Sequence, residues 1–285
     1  MPILDTELGL DEQQTKQVWY DFKSRCWERS FVVCLRCKTR NVFEISKNKY
    51  RCGNKGCNYT FHDFSGRWVN KIKKLNLLQW GRLLRLFSDN APLTALWVKR
   101  IVKISYPTAV KALTIIRQAI AQQSPDWEIV NSHIKSKSKE ILVFGVAEKR
   151  NAVYTVALKD LTPKFILSSG MKIYQSNNIF FTERFDKYDY LLFYINKTHS
   201  VIPKNAIHSS KNIKKSKFRE FLLEKLNKYF GVSNIKFPLY LKELEFKFNR
   251  KNPHEETNIL AFSREGGHWP IRRKYLFSYI TKLTS

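Results

Sequence analysis

Four cysteines within 24 positions constrain this chain more than any other feature: Cys34-Leu-Arg-Cys37, a gap of 14 residues, then Cys52-Gly-Asn-Lys-Gly-Cys57. Each pair has the spacing of a tight turn, so two such turns can bring four thiolates tetrahedrally around one zinc. Between them VFEISKNKYR (42–51) reads as two short strands with a turn at Ser46–Asn48, as a zinc ribbon requires. The expectation is one structural Zn2+ per chain on Cys34, Cys37, Cys52 and Cys57. Five cysteines, four of them clustered, fit a metal site in a reducing compartment better than a secreted disulfide framework. Cys26 falls outside the pattern and reads as a small buried hydrophobe. His62 and Asp63 read as loop residues.

The second constraint is charge. Lysine and arginine number 51 against 24 acids, a formal charge of +27. That excess makes a polyanion the expected partner, because each phosphate neutralised releases condensed counterions. A basic protein can also sit on anionic membrane. Here no apolar stretch approaches the roughly 18 residues of a spanning helix, and MPILDTELGLDEQQ is not a signal peptide. A nucleic acid is therefore the expected partner and no membrane is; with the ribbon and the helix pair that follows it in the chain, that nucleic acid is double-stranded DNA. The expected location is intracellular: bacterial cytoplasm or nucleoid, or the nucleus of a eukaryote. With 43% hydrophobic residues the chain can bury a core.

Five segments follow: an amino-terminal helical segment (1–30), the ribbon (31–70), a helix-turn-helix domain (71–123), an α/β domain (124–252) and a carboxy-terminal tail (253–285) without a usable motif. Within 71–123, LNLLQWGRLLRLF (75–87) carries an apolar helical stripe, and Pro92 opens a second helix with Leu93, Leu96, Trp97 and Ile101 on one face. A turn at Lys103–Ile104 leads to Ser105, a good cap for YPTAVKALTIIRQAIAQQ (106–123). Two helices joined this way, the second polar at its start, is helix-turn-helix geometry, although a plain three-helix bundle gives the same pattern. Thr108 and Lys111 are the expected major-groove contacts, with Tyr106 beside them, and Lys71, Lys73 and Lys74 suit the phosphate backbone.

After Pro125 the periodicity becomes strand-like. WEIVNSHI (127–134), ILVFGVAEK (141–149) and AVYTVALKD (152–160) read as three strands, PKFILSSGMKI (163–173) as a helix or connector, and NIFFT (178–182) as a fourth strand. FDKYDYLLFY (185–194) reads as helical or mixed and YINKTHSVI (194–202) as a candidate fifth strand. KFREFLLEKLNKYF (217–230) and FPLYLKELEFKFNRK (237–251) read as amphipathic helices. Three strands, a crossover, then alternating strand and helix is the order of an RNase H-like α/β domain, a mixed sheet with flanking helices. The run 207–217, with Lys214, Lys215 and Lys217, reads as a basic loop near DNA or as a solvated face.

Together these pieces resemble, over roughly residues 20–255, the zinc-ribbon DDE transposases of small insertion sequences: the IS-fifteen-ninety-five superfamily, related to Merlin elements. The resemblance is carried by the ribbon and the Ser65-Gly66-Arg67 turn after it, by Leu77-Leu78-Gln79-Trp80, by ILVFGVAEK, and most specifically by FPLYLKELEFKFNR (237–250), where the family has Glu-Phe-Arg-Phe-Asn. In proteins like this the amino-terminal modules bind terminal inverted repeats. The RNase H-like domain cuts and joins DNA with two Mg2+ about 4 Å apart, held by three carboxylates.

This chain departs from that triad. In the assigned register Val130 stands at the first acid, with Glu128 two residues away on the same strand face. Glu183 of Thr182-Glu183 stands at the second, and Arg219 stands at the third, with Glu220 beside it. Val130 offers no oxygen to magnesium. The resemblance therefore implies a transposase-derived DNA-binding protein whose strand-transfer site is lost, with Glu183 its remaining acid. The alternative is an active enzyme using Glu128, Glu183 and Glu220 with Mg2+. In either case the chain is expected to be a homo-oligomer or a subunit of a larger protein–DNA assembly. Trp269, Arg272, Arg273 and Lys274 in the tail suit contact with DNA or, in preference, with a protein partner.

Overall fold

A computed structural model describes residues 32–46, 49–62, 65, 72, 75, 77–88, 93–137, 140–149, 152–196, 202–208, 216–229 and 231–250. The expected amino-terminal helix, Cys26, Asp63, Lys71, Lys73, Lys74, Lys214, Lys215 and the tail lie outside them. The chain divides into two compact units, Met1–Ala119 with Ile271–Ser285, and Ile120–Pro270.

The first unit contains the ribbon and three helices. β1 (Val42–Ser46) and β2 (Lys49–Cys52) form the expected antiparallel hairpin, and β3 (Thr60–His62) adds a third strand to β2. A bulge between Glu44 and Ser46 shifts the β1 register. One face of this sheet packs Phe61 with Cys34, Cys52, Val42 and Tyr50. Helix α1 (Leu77–Ser88) buries Trp80, Leu83, Leu84, Leu86 and Phe87. Helix α2 spans Ala95–Val102 and is capped by Thr94, whose hydroxyl accepts from Trp97 N at 3.2 Å, so the start lies at Thr94 rather than Pro92. It ends at Lys103, which is left-handed at φ 55°. Helix α3 (Tyr106–Ala121) follows after Ile104 and Ser105, as the cap signal implied.

In the second unit a mixed six-stranded sheet with flanking helices has the order β5-β4-β8-β7-β6-β9. Its strands are β4 (Val143–Lys149), β5 (Ala152–Leu158), β6 (Ile173–Ser176), β7 (Ile179–Thr182), β8 (Tyr190–Tyr194) and the short β9 (Ile207–His208). All pairs are antiparallel except β6 with β9.

Two readings of the sequence are corrected here. WEIVNSHI is helix α4 (Trp127–Lys135), not a strand. Asp126, Val130 and His133 are buried at helical spacing while Glu128 and Ser132 are exposed, and Glu128 at the start and Lys135 at the end match the helix dipole. Tyr190–Tyr194 is strand β8, not helix. As a central strand it is buried on both faces, which removes the alternation that marks a half-buried strand. Tyr190, Leu192 and Tyr194 enter one core, and Leu191 and Phe193 enter the other. PKFILSSGMKI forms helix α5 (Pro163–Ser168) and a connector, as expected, and leads into strand β6, which the sequence did not mark. Of the four numbered strand candidates, ILVFGVAEK, AVYTVALKD and NIFFT form strands, as β4, β5 and β7.

Helices α6 (Lys217–Leu226) and α7 (Phe237–Arg250) contribute to the same core as Phe144, Phe181 and Leu192. The stretch Glu245-Phe246-Lys247-Phe248-Asn249 fastens α7 to β5. Asn249 accepts from Val153 N and donates to Val153 O, both at 2.8 Å, which supplies ladder bonds to a strand at the sheet's edge. Glu245 accepts from the Thr155 hydroxyl at 2.5 Å. Lys242 pairs with Asp126 at 3.0 Å and donates to Thr155 O, while Lys247 pairs with Glu243 at 2.7 Å. These charges are buried, and each has a partner that offsets its desolvation.

Candidate metal centre and nucleic-acid surface

The four cysteines converge because each pair rides a turn with a left-handed residue behind it. Lys38 (φ 60°) donates to Cys34 O at 2.9 Å, and Cys34 N donates to Thr39 O at 2.8 Å. In the longer turn Cys57 N and Asn58 N both donate to Asn54 O at 2.9 and 3.0 Å, with Asn58 at φ 45°. Gly53 leaves room for the Asn41 side chain: a Cβ there would lie 2.5 Å from Asn41 Oδ1.

All four Sγ atoms lie within 4.8 Å of one another. Cys34 and Cys57 are 3.7 Å apart, and Cys37 and Cys52 are 3.5 Å apart. Zinc–sulfur bonds of about 2.3 Å in a tetrahedron place sulfurs about 3.8 Å apart, so the quartet fits Zn2+ with little movement. Asn54 N donates to Cys52 Sγ at 3.4 Å, a bond that suits a thiolate.

Without metal the thiols are unequal. Burial raises Cys34, but backbone N–H groups of Cys37 and Arg36 outweigh it and bring the thiol down to about 7. Burial pushes Cys52 up to about 12 and also raises Cys57. Cys34 therefore offers a thiolate near neutral pH, whereas Cys52 and Cys57 must give up protons as the metal enters. Among the described residues this quartet is the group of three or more metal-ligating side chains close enough to hold an ion.

The helix pair presents the expected DNA-facing residues at the start of α3. Ser105 Oγ accepts from Thr108 N at 3.4 Å and lies 2.8 Å from Thr108 Oγ1, which ties Thr108 into the cap. Tyr106 is 50% exposed and Lys111 is exposed. Lys99, Arg100 and Lys103 of α2 and its cap are also exposed. Lys217 is exposed at the start of α6.

The residues assigned to a catalytic triad are not gathered together. Glu183 stands exposed past the end of β7, where its carboxylate accepts from Lys172 N at 3.3 Å and pairs with Lys172 Nζ at 3.7 Å. Glu128 lies on the solvent side of α4, so its expected strand neighbourhood with Val130 is overturned, and Val130 packs in the core. Glu220 is exposed in the first turn of α6. Arg219 is buried, its guanidinium 5.5 Å from the Phe181 ring centre and 5.6 Å from that of Tyr190. Burial lowers its pKa, against the pull of Tyr190 and Glu148.

A carboxylate that the sequence reading passed over stands nearby. Glu148, near the end of β4, accepts from Tyr190 OH at 2.8 Å and from Ser216 Oγ, and its own N–H donates to Asp189 Oδ2 at 2.7 Å. Burial, then the Glu148 charge, holds the Tyr190 phenol well above its ordinary value. The available signal was alternation, since Glu148 lies on the strand face that Phe144 and Val146 bury.

No protein-family model, curated protein or solved structure matches this chain. No described helix is long and apolar enough to cross a membrane.

Proposed function

We propose that this chain is a DNA-binding protein derived from an insertion-sequence transposase. In this reading it holds duplex DNA through its zinc ribbon, its helix-turn-helix and its basic surface, and it has lost strand transfer. The observation that carries the DNA reading is the α2–turn–α3 pair, joined by Lys103, Ile104 and Ser105, with Tyr106, Thr108 and Lys111 at its open start in a chain of charge +27. A helix entering the major groove reads bases with its first residues, and lysines along its flank neutralise phosphates. Zinc on the cysteine quartet would stabilise the ribbon without entering any reaction.

The RNase H-like reading of the second unit is supported by its mixed sheet with α6 and α7 on one face. Its loss of chemistry is supported by Arg219 against the Phe181 and Tyr190 rings, by Glu183 tied to Lys172, and by Glu128 on a helix. The chain would act as a homo-oligomer or as the targeting subunit of a larger assembly. Binding to a labelled duplex tests the reading. Lys99→Ala, which removes an exposed charge of α2, should weaken binding to every duplex and make it less sensitive to salt, whereas Thr108→Ala and Lys111→Ala should change which sequences are preferred. Wild-type protein that joins pre-cut DNA ends with Mg2+, in a reaction abolished by Glu183→Gln, would overturn the loss of catalysis.

A further inference from the structure

The ribbon sheet has a second face that its core does not use. Cross-strand partners share a face, so Phe43 lies beside Arg51, Arg51 beside Thr60, and Lys49 beside His62, while Val42, Cys52, Tyr50 and Phe61 point into the core. On this outer face Phe43 is 48% exposed, Arg51 and His62 are exposed, and Lys49 is half-buried. Glu44, the one acid of residues 32–62, pairs with Tyr50 in the other alternation. The face therefore offers an aromatic ring beside a row of cations, and no carboxylate among the described ribbon residues opposes them.

We infer that this outer face of the ribbon is a binding platform for single-stranded DNA, separate from the duplex surface of α2 and α3. The inference rests on the nucleic-acid part of the proposed function. In a duplex each base is stacked between its neighbours, so an exposed ring gains little from it. An unstacked base can lie on Phe43 while Arg51 and Lys49 meet the phosphates on either side. That combination of stacking and charge binds single strands with little regard to sequence. Cross-strand Cβ atoms are about 5 Å apart, which puts the Arg51 side chain within reach of the backbone of a nucleotide on Phe43. An acidic peptide would satisfy the cations and leave the ring without a partner.

The test uses the full-length, zinc-loaded protein with labelled oligo-thymidylate, an unrelated duplex, oligo-uridylate and heparin at one salt concentration. Phe43→Ala should bind oligo-thymidylate roughly 5- to 150-fold more weakly, the range expected for one lost stacked base. Phe43→Trp should retain binding, and Phe43→Ala should weaken duplex and heparin binding far less than oligo-thymidylate binding, because neither offers an unstacked base to the ring. Unaltered zinc content in both variants shows that the ribbon is still folded. Equal oligo-thymidylate affinity in wild type and Phe43→Ala would overturn the proposal, leaving a polyanion patch. Tighter binding of oligo-uridylate than oligo-thymidylate would overturn the DNA assignment. If duplex binding fails while Phe43-dependent binding of oligo-thymidylate stands, the helix-pair reading falls and this one is supported.

Discussion

Replacing Cys37 by serine should unfold the ribbon and leave the second unit intact. A serine oxygen is a poor substitute for one of four thiolates, and a structural zinc contributes roughly 10–16 kcal/mol to the folding of small zinc modules. That is comparable with the whole stability of an ordinary domain, about 5–15 kcal/mol. The ribbon has little else to hold it: three short strands and a core in which Cys34, Cys52 and Phe61 are the fully enclosed members. Two of those three are themselves ligands, so losing the metal also opens the core. Hydrogen exchange read by mass spectrometry is the assay, with zinc content measured in parallel. In Cys37→Ser or chelated protein, the amides of Cys34, Cys52, Gly53 and Asn58, which bond across the turns, should exchange freely. Those of β4, β7 and β8 should stay protected. Persistent protection of the ribbon amides in metal-free protein would refute the metal as the ribbon's support.

Three further outcomes concern the second unit. A Cβ on Gly145 would sit 2.5 Å from the Tyr188 ring, so Gly145→Ala should lower stability in urea by about 1–3 kcal/mol, and Tyr188→Ala in the same chain should recover part of it. Lys247→Met leaves the buried Glu243 carboxylate with the Tyr229 hydroxyl at 3.0 Å but without its cation, at a cost of about 3–5 kcal/mol, and adding Glu243→Gln should restore much of that. Burial holds the Glu245 carboxyl above its ordinary value of 4.5, so its contribution to stability is fully present below that pH and is lost as pH rises through the higher folded value. Glu245→Gln should therefore flatten the denaturation midpoint between mildly acidic and neutral pH, and an unchanged pH profile would contradict it.

The ribbon was legible in the sequence because metal geometry leaves few ways to arrange CxxC and CxxxxC, and the quartet's sulfur separations follow. The turn before α3 was legible for a similar reason, since Ser105 is a local cap and local chemistry acts wherever the helix packs. What misled was period. Trp127–Lys135 has apolar residues at both strand and helix spacings, and only its packing through Val130 and His133 selects the helix. Tyr190–Tyr194 loses its alternation because both faces of the sheet are covered. Glu148 went unnoticed because a carboxylate's partners, here Tyr190 and Ser216, are 42 and 68 residues away and appear only when the strands pair.

Duplex DNA binding as a function of salt tests the proposed function most directly. A protein that neutralises several phosphates with the exposed cations of α2 and α3 should give a plot of log affinity against log salt with a slope of about −4 or steeper, corresponding to roughly five phosphates. Lys99→Ala should make that slope about one unit shallower. A slope near zero, or no duplex binding at low salt by zinc-loaded protein, would contradict it.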